Sequence, residues 1–447
     1  MHAPPPAARG RKVSGRFAAA GRAIGPAISR MGGKEYFVPL LLLFWFIFYQ
    51  NLPDEIHGVT IKPLSTAGSI DRTVKLGMIA ISFIIMAVRW SVTSKYLRHV
   101  NPGLVAFMVL IPVSAAWSID SSATILRYTT LLSMVLLCLA IPLAGWDRQR
   151  IQQLTLPPLL LILVVSLLVG VVSPDTVKEI GDDLSLKNAW RGITHQKNQF
   201  GVMSSLAAIM CLHKLLAPGK RQAWAFVGLG IALLCLALSR SSTSLLATML
   251  VCTFMVMMFK VPLFKDRFST LLAVGIFSLI LIYAMAVQNL IPGMGKLLAP
   301  VMHLTGKDMT FSSRSIIWDV VKQHSAASPW VGSGYAAFWI ETPSSPSYVF
   351  VYLMNFYPTS SHNGYLEVMN DLGRVGLVCL LAYLIFFLRH ALQLMPHDRG
   401  QAVLYLALLY QQMVDNLSES EWFSRTATCT ILILASACLS RALVDAR

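Results

Sequence analysis

Four segments of this chain place cations beside residues that can bind oxyanions or accept a proton. Arg314 lies within "SSRSIIW", ahead of "PWVGSGY", and His362 begins "HNGYLEVMNDLGRVGL". Arg191 precedes "KNQFG", and Arg240 lies within "LSRSSTSLL". A guanidinium binds phosphate oxygens bidentately, and a histidine titrates near neutral pH. An intramembrane enzyme that handles a lipid pyrophosphate would need both, a fixed cation for phosphate and a titratable base near the surface.

Each segment also has a structural interpretation, which the local chemistry leaves open. Trp190 and the cations near Arg191 would anchor a helix end at headgroup level. Arg240 would lie at a hairpin tip, with a serine capping the next helix. The segment around Arg314 would form an amphipathic helix at the membrane interface. A single histidine such as His362 is usually structural, and three others compete with it: His195, His303 and His324.

Helical spacing predicts which neighbours share a surface with these residues. Arg314 and Trp318 are i and i+4, so they lie on one face of a predicted short helix that a preceding serine could cap. Glu367 and Asp371 have the same spacing after His362, and their carboxylates could orient the site or supply its charge.

The composition predicts an all-α, polytopic membrane protein. The chain has 447 residues, of which 55% are hydrophobic and 13% charged, whereas soluble domains carry about 25% charged residues. The apolar runs are too long and continuous for barrel strands, so helices are the remaining way to cross the hydrocarbon core. A net charge of +16 would suggest nucleic acid in a soluble protein. Here we attribute much of it to the positive-inside bias and expect no nucleic-acid partner.

Hydropathy predicts about twelve spans in a single transmembrane domain, 36–447, after a basic cytoplasmic tail, 1–35. The predicted spans are 36–51, 73–91, 102–117, 124–143, 153–173, 199–216, 222–239, 243–260, 270–289, 374–389, 401–416 and 425–440. Alternate loops collect the basic residues on one side: Lys95, Arg98, Arg148, Arg150, Lys220, Arg221, Lys265, Arg267, Arg389 and Arg399. The N- and C-termini are therefore predicted to be cytoplasmic, with a large periplasmic loop at about 290–373 between spans nine and ten.

Several catalytic signatures are missing from the sequence. It contains no Walker A motif, no H-E-x-x-H, no G-x-S-x-G and no cluster with metal-ligand spacing. Its seven cysteines fall in or beside apolar runs and are interpreted as small core residues. We therefore expect neither a metal nor a cofactor.

Taken together and in this order, the four segments resemble the O-antigen ligase and polysaccharide polymerase (Wzy-type) superfamily of bacterial inner-membrane glycosyltransferases. "AWSID" at 116–120 is also similar to the family's Ser-Trp-Ser-type segment, with Ala116 in place of the first serine. The resemblance covers about 100–430 and implies a GT-C-like, all-helical fold. "KNQFG" and "SRSSTSLL" look most like exopolysaccharide polymerases of the succinoglycan-biosynthesis type.

The resemblance implies a metal-independent transfer of glycan from undecaprenyl pyrophosphate to an acceptor sugar hydroxyl on the periplasmic side. His362 and Arg314 would be catalytic, as a base or positioning group and as a pyrophosphate clamp. Six residues would bind substrate: Arg191, Arg240, Lys197, Trp318, Tyr365 and Glu367. Partners would be the lipid-linked oligosaccharide, the bilayer, and possible chain-length regulator and flippase proteins.

Two other functions remain open. An O-antigen ligase, which transfers glycan to lipid A-core, shares these motifs with the polymerases. A flippase or transporter would suit about twelve spans, but ion-coupled carriers usually keep acidic residues at mid-membrane. The centres of the predicted spans lack Asp and Glu, and no internal symmetry is visible. We therefore favour a polymerase.

Overall fold

The computed structural model describes residues 69–179, 188–217, 223–266, 268–287, 312–354 and 357–446. Within these ranges the regular secondary structure is helical, apart from an isolated antiparallel β-bridge between Lys178 and Trp190. The basic tail, the predicted first span at 36–51 and residues 288–311 of the predicted large loop lie outside the described residues.

The described helices follow one another from Ser69 to Asp445. They are α1 (Ser69–Val88), α2 (Trp90–Leu97), α3 (Pro102–Ser114), α4 (Ser121–Ala144), α5 (Arg150–Val172), α6 (Lys197–Leu216), α7 (Trp224–Ser239), α8 (Ser242–Lys260), α9 (Pro262–Asp266), α10 (Ser269–Val287), α11 (Ser312–Ser325), α12 (Val349–Met354), α13 (Gly364–Leu394), α14 (Arg399–Asp415) and α15 (Ala427–Asp445).

Seven of these helices are long and apolar enough to cross a membrane, namely α4, α5, α6, α8, α10, α13 and α15. The predicted class, an all-α polytopic membrane protein, is therefore confirmed, while the count of twelve spans stays a prediction. Helices α1 and α2 bend by 101° at the break between them and would form an eighth span only as a pair. Helix α3 has 13 residues, which rise about 20 Å and do not span a hydrocarbon core of about 30 Å.

The centre of the fold is built from α6, α14 and α15. Every residue of α14 from Gln401 to Asp415 is buried, and α15 is buried along most of its length. A helix that is enclosed on all sides must be apolar all round or pair its polar groups internally. Tyr410, for example, donates its hydroxyl to the carbonyl of Ala273 at 2.7 Å. This enclosed group of helices holds the loops at both of its ends in place.

The loops at one end contact one another. Trp117 Nε1 donates to the carbonyl of Val331 at 3.0 Å, and the Trp190 amide donates to the carbonyl of Leu238 at 2.9 Å. These contacts join the loops after α3, α5, α7 and α11, which the predicted topology had placed on the same side. We call this end the motif end.

The opposite end contains the remaining short loops. His213 Nε2 lies 2.8 Å from the carbonyl oxygen of Gly400, and Arg399 donates to the carbonyl of Met258 at 2.9 Å. Arg148 and Asp398 form an ion pair of 3.6 Å at this end. The alternation of loops read from basic residues thus agrees with how the helices are arranged.

Helix α13 begins ten residues earlier than the predicted span at 374–389. Asn363 caps it, because its side-chain oxygen accepts hydrogen bonds from the amides of Tyr365 and Leu366, both at 3.1 Å. The helix then breaks at Gly373, which has a left-handed φ of 62°. A Cβ there would lie 2.3 Å from the Trp330 carbonyl carbon. The predicted loop at 290–373 therefore ends in a helical segment that packs under the "PWVGSGY" turn.

Candidate functional site

Glu419, in the loop between α14 and α15, joins three segments at the motif end. One carboxylate oxygen, Oε1, lies 3.3 Å from Arg314 Nη2 and accepts a hydrogen bond from Asn198 at 2.6 Å. The other, Oε2, lies 3.4 Å from His362 Nδ1. Arg314 also donates to the carbonyl of Ser418 at 2.9 Å. The two predicted catalytic residues thus share one buried carboxylate.

The charge of Glu419 is maintained by the cations around it. Burial alone would raise the pKa of its carboxyl group, but the hydrogen bond and charge of His362 and the charge of Arg314 hold that pKa below its usual value. The side chains of Arg314 and His362 are 18% and 20% exposed, against 7% for Glu419. The carboxylate therefore lies beneath two partly accessible groups that a substrate can reach.

The orientation of His362 decides which of its nitrogens can accept a proton. In the tautomer whose Nδ1–H faces Glu419, Nε2 carries the free lone pair and is the basic atom. Nε2 makes no hydrogen bond with the part of the chain that the structure describes. A carboxylate that holds Nδ1 and faces a developing imidazolium is the arrangement that supports general-base catalysis.

The backbone at His362 is held in an unusual conformation. His362 has a left-handed φ of 50°, which costs a non-glycine residue free energy and persists only when its surroundings enforce it. The enforcing contacts come from the Glu419 loop, where the Asn363 amide donates to the Ser420 hydroxyl at 3.2 Å. The Gly364 amide donates to the carbonyl of Asn416 at 2.9 Å. The two loops therefore form one unit.

Helix α11 confirms the predicted short helix around Arg314. Part of its apolar face packs on the protein, because Ile317 and Val321 are buried in a small separate core with Phe338 and Leu366. Trp318 is buried there too, and its indole donates to the carbonyl of Ser361 at 2.9 Å. Trp318 therefore supports the His362 loop, and its predicted contact with substrate stays a prediction.

Glu367 and Tyr365 also support the site from below. The Glu367 carboxylate accepts hydrogen bonds from the Trp339 indole and, at 2.8 Å, from the Ser361 amide. Tyr365 is buried, and its hydroxyl donates to the carbonyl of Met413 at 3.0 Å. Both side chains fix the segment that carries His362, and their predicted contact with substrate stays a prediction.

Arg191 and Lys197 approach the same site through Glu179. The Lys197 amide, at the start of α6, donates to Glu179 Oε2 at 2.6 Å. Burial raises the pKa of Glu179, while that hydrogen bond and the charges of Arg191 and Lys197 counteract the rise. Since Asn198 is the next residue and binds Glu419, the segment "KNQFG" connects the Arg191 turn to Arg314 and His362.

Arg240 lies in the turn between α7 and α8, with an exposed side chain and a left-handed φ of 50°. Ser239, Ser241 and Ser244 are buried beside it, and Ser241 and Ser244 hydrogen-bond to each other at 3.0 Å. A Cβ at Gly201 would lie 2.7 Å from Ser241 Cβ, so this turn packs directly on "KNQFG". The hydroxyls of Ser241 and Ser244 are thus used inside the protein, and the predicted role of Arg240 in binding substrate stays a prediction.

Sequence reasoning missed Glu419 and its neighbour Glu421. Burial raises the pKa of Glu421 to about 7, the hydrogen bond from Thr426 opposes this rise, and the charge of Glu419 adds to it. The available signal was three carboxylates within seven positions, Asp415, Glu419 and Glu421, beside two apolar spans in a chain with 21 acidic residues.

Across the described residues no group of three or more His, Cys, Asp or Glu side chains could hold a metal ion.

Comparisons with known proteins agree with the motifs. Residues 225–381 match a family described as O-antigen ligase. The chain is also 24% identical over 306 residues to the exopolysaccharide production protein ExoQ of Rhizobium meliloti (strain 1021). That alignment covers 66% of each protein, just under two thirds of the relative's length. The resemblance to O-antigen ligases and exopolysaccharide proteins is thus confirmed. The family match includes Arg240, Arg314 and His362, whereas Arg191 and Glu419 lie outside it.

Proposed function

We propose that this protein is a polymerase of bacterial surface polysaccharide. It would transfer a glycan from undecaprenyl pyrophosphate to a sugar hydroxyl of an acceptor on the periplasmic face of the inner membrane. The observation that carries this proposal is the shared contact of His362 and Arg314 with Glu419. One carboxylate then contacts both the base that would deprotonate the acceptor hydroxyl and the cation that would bind the pyrophosphate leaving group.

In this mechanism His362 Nε2 accepts the proton of the acceptor hydroxyl as its oxygen attacks the anomeric carbon of the donor sugar. The bond between that carbon and the pyrophosphate oxygen breaks, and undecaprenyl pyrophosphate leaves with the bonding electron pair. Glu419 stabilises the imidazolium formed at His362. A positioned general base contributes about a hundredfold to ten-thousandfold in rate.

Arg314 and Arg191 stabilise the negative charge that grows on the leaving pyrophosphate. Fixed cations act strongly there because they need no reorganisation as the charge develops. Lys197 and Arg240 lie on the segments beside them and would contact the donor phosphates or the glycan. Charge neutralisation by arginines offers a route to transfer without a metal ion.

The polymerase is favoured over the ligase because the relative's name refers to exopolysaccharide production. An O-antigen ligase is the second candidate, since the matching family is described by that activity. A lipid-linked oligosaccharide flippase is disfavoured because the centres of the predicted spans lack Asp and Glu.

Deleting the gene and measuring the length of glycan left on the undecaprenyl carrier tests the proposal. Single repeat units, with loss of long surface polysaccharide, are expected for a polymerase. Long chains stranded on the carrier would identify a ligase, and an unchanged length distribution would overturn both. Complementation with His362→Ala, checked for membrane insertion, should fail, whereas a flippase should tolerate that change.

A further inference from the structure

A second charged site lies at the end of the protein opposite to His362. A cavity of about 720 Å³ opens there between α2, the start of α3, the last turns of α13 and the end of α15. Its lining includes five basic or titratable side chains: Lys95, Arg98, His99, Arg389 and His390. We call it the basic cavity.

The cations of the basic cavity have no acidic partner among the described residues. In that part of the chain no Asp or Glu lines the cavity. Within the described residues Lys95, Arg98 and Arg389 form no ion pair, whereas other arginines at this end do: Arg148 with Asp398 and Arg441 with Asp445. Cations that converge in a concave site without a counter-ion create a positive potential that attracts an anion. The positive-inside bias requires cations in these loops, but it does not require that they meet in one cavity.

The surroundings of the basic cavity are apolar and face outward. Phe386 and Val444 belong to its lining. Just beyond it on α2, α3 and α13, Leu97, Val105 and Ile385 are 45%, 50% and 46% exposed. In a membrane protein, exposed apolar side chains on spanning helices contact lipid chains. A ligand with an anionic phosphate and attached acyl chains therefore matches the cavity better than a free anion does.

We propose that the basic cavity binds the phosphate headgroup of an anionic phospholipid. Arg98 and Arg389 pair with phosphate oxygens, as guanidinium groups do in a bidentate manner. Lys95 adds a point charge, and the acyl chains run along the apolar surface of α3 and α13. In the predicted orientation this end is cytoplasmic, where the anionic lipids of a membrane are available to such clusters.

The test uses the full-length protein in nanodiscs of phosphatidylcholine alone or of equal parts phosphatidylcholine and phosphatidylglycerol. Lipids retained after gentle release are identified by native mass spectrometry. We expect the wild-type protein to retain phosphatidylglycerol in preference to phosphatidylcholine. This preference should fall about thirtyfold in Arg98→Gln/Arg389→Gln, since each cation near an anionic lipid contributes about fivefold to the affinity. Arg98→Lys/Arg389→Lys should keep only part of it, because the charge remains while the bidentate contact is lost.

The matched control is Arg148→Gln/Lys260→Gln, which removes the same charge from the same end but outside the cavity lining. An equal loss in this control would overturn the proposal, because net charge alone would then explain lipid retention. Equal retention of both lipids by the wild type would overturn it as well. A third arm adds inorganic pyrophosphate to phosphatidylcholine discs: tight pyrophosphate binding without lipid preference would identify a soluble anion as the occupant and refute the lipid.

Discussion

Replacing Glu419 with glutamine should slow glycan transfer while leaving the protein folded. Glutamine has nearly the same shape and can still bond Asn198, and Arg314 keeps its 2.9 Å bond to the Ser418 carbonyl. What disappears is the negative charge that faces His362 Nδ1 at 3.4 Å. The structure therefore predicts that the loss falls on the proton-transfer step and not on the architecture of the site.

The expected loss in kcat is about a hundredfold to ten-thousandfold, the usual contribution of a positioned general base, which corresponds to roughly 3–5.5 kcal/mol. Removing one partner of a buried ion pair typically lowers the free energy of unfolding by about 3–5 kcal/mol, and Glu419→Gln should lower it by less than that. The reason is that the side chains of Arg314 and His362 remain 18% and 20% exposed and can be partly solvated. KM for the lipid-linked donor should change little.

The assay follows glycan length on the lipid carrier in membranes that contain equal amounts of each variant. Glu421→Gln is the matched control, because Glu421 is a buried glutamate of the same loop that bonds Thr426 instead of His362 or Arg314. In Glu419→Gln the acidic limb of the pH–rate profile should also move to lower pH, since protonated His362 loses its counter-charge. Wild-type rates with an unmoved profile, or an equal loss in Glu421→Gln, would refute the role of Glu419.

Four further predictions follow from named contacts. Arg314→Lys should recover little of the activity that Arg314→Ala loses, and full recovery in transfer assays would leave only a requirement for charge. Gly364→Ala should destabilise the protein in thermal unfolding, because its Cβ would lie 1.9 Å from Asn416 Oδ1, whereas Gly230→Ala, with nothing within 4 Å, should not. The free energy of unfolding should fall as pH rises from about 4.5 to about 7, because folded Glu421 keeps a proton that the unfolded chain has released, and Glu421→Gln should reduce this slope. A cysteine replacing exposed Ser344 should be labelled in intact spheroplasts; labelling only after lysis would invert the orientation.

Much of the site follows from local sequence. The cationic residues, the short helix around Arg314 and the grouping of alternate loops at one end were all predictable from residue type, spacing and basic-residue alternation. Two glycines of the "PWVGSGY" motif are required for steric reasons. Gly332 and Gly334 have φ values of 68° and 98° and approach Asp371 and Ser118 too closely for any Cβ.

The polarity and aromaticity of a residue do not reveal the direction in which its side chain points. Trp318, Tyr365 and Glu367 have the composition of a sugar-binding surface, yet all three point inward to hold the His362 loop. The serines beside Arg240 likewise bond within their own turn. Which way a side chain points at a helix end depends on what packs there from distant segments, and no local pattern contains that information.

The amino-acid sequence by itself determined the membrane class and supplied Arg191, Arg314 and His362 as candidate site residues, because these depend on composition and on short-range spacing. Only the tertiary structure decided that Glu419 joins them. Its partners lie 105 and 57 positions away along the chain. Contacts over such separations exist only once α14 and α15 are enclosed by the other helices, because their packing brings the loop between them beneath Arg314 and His362.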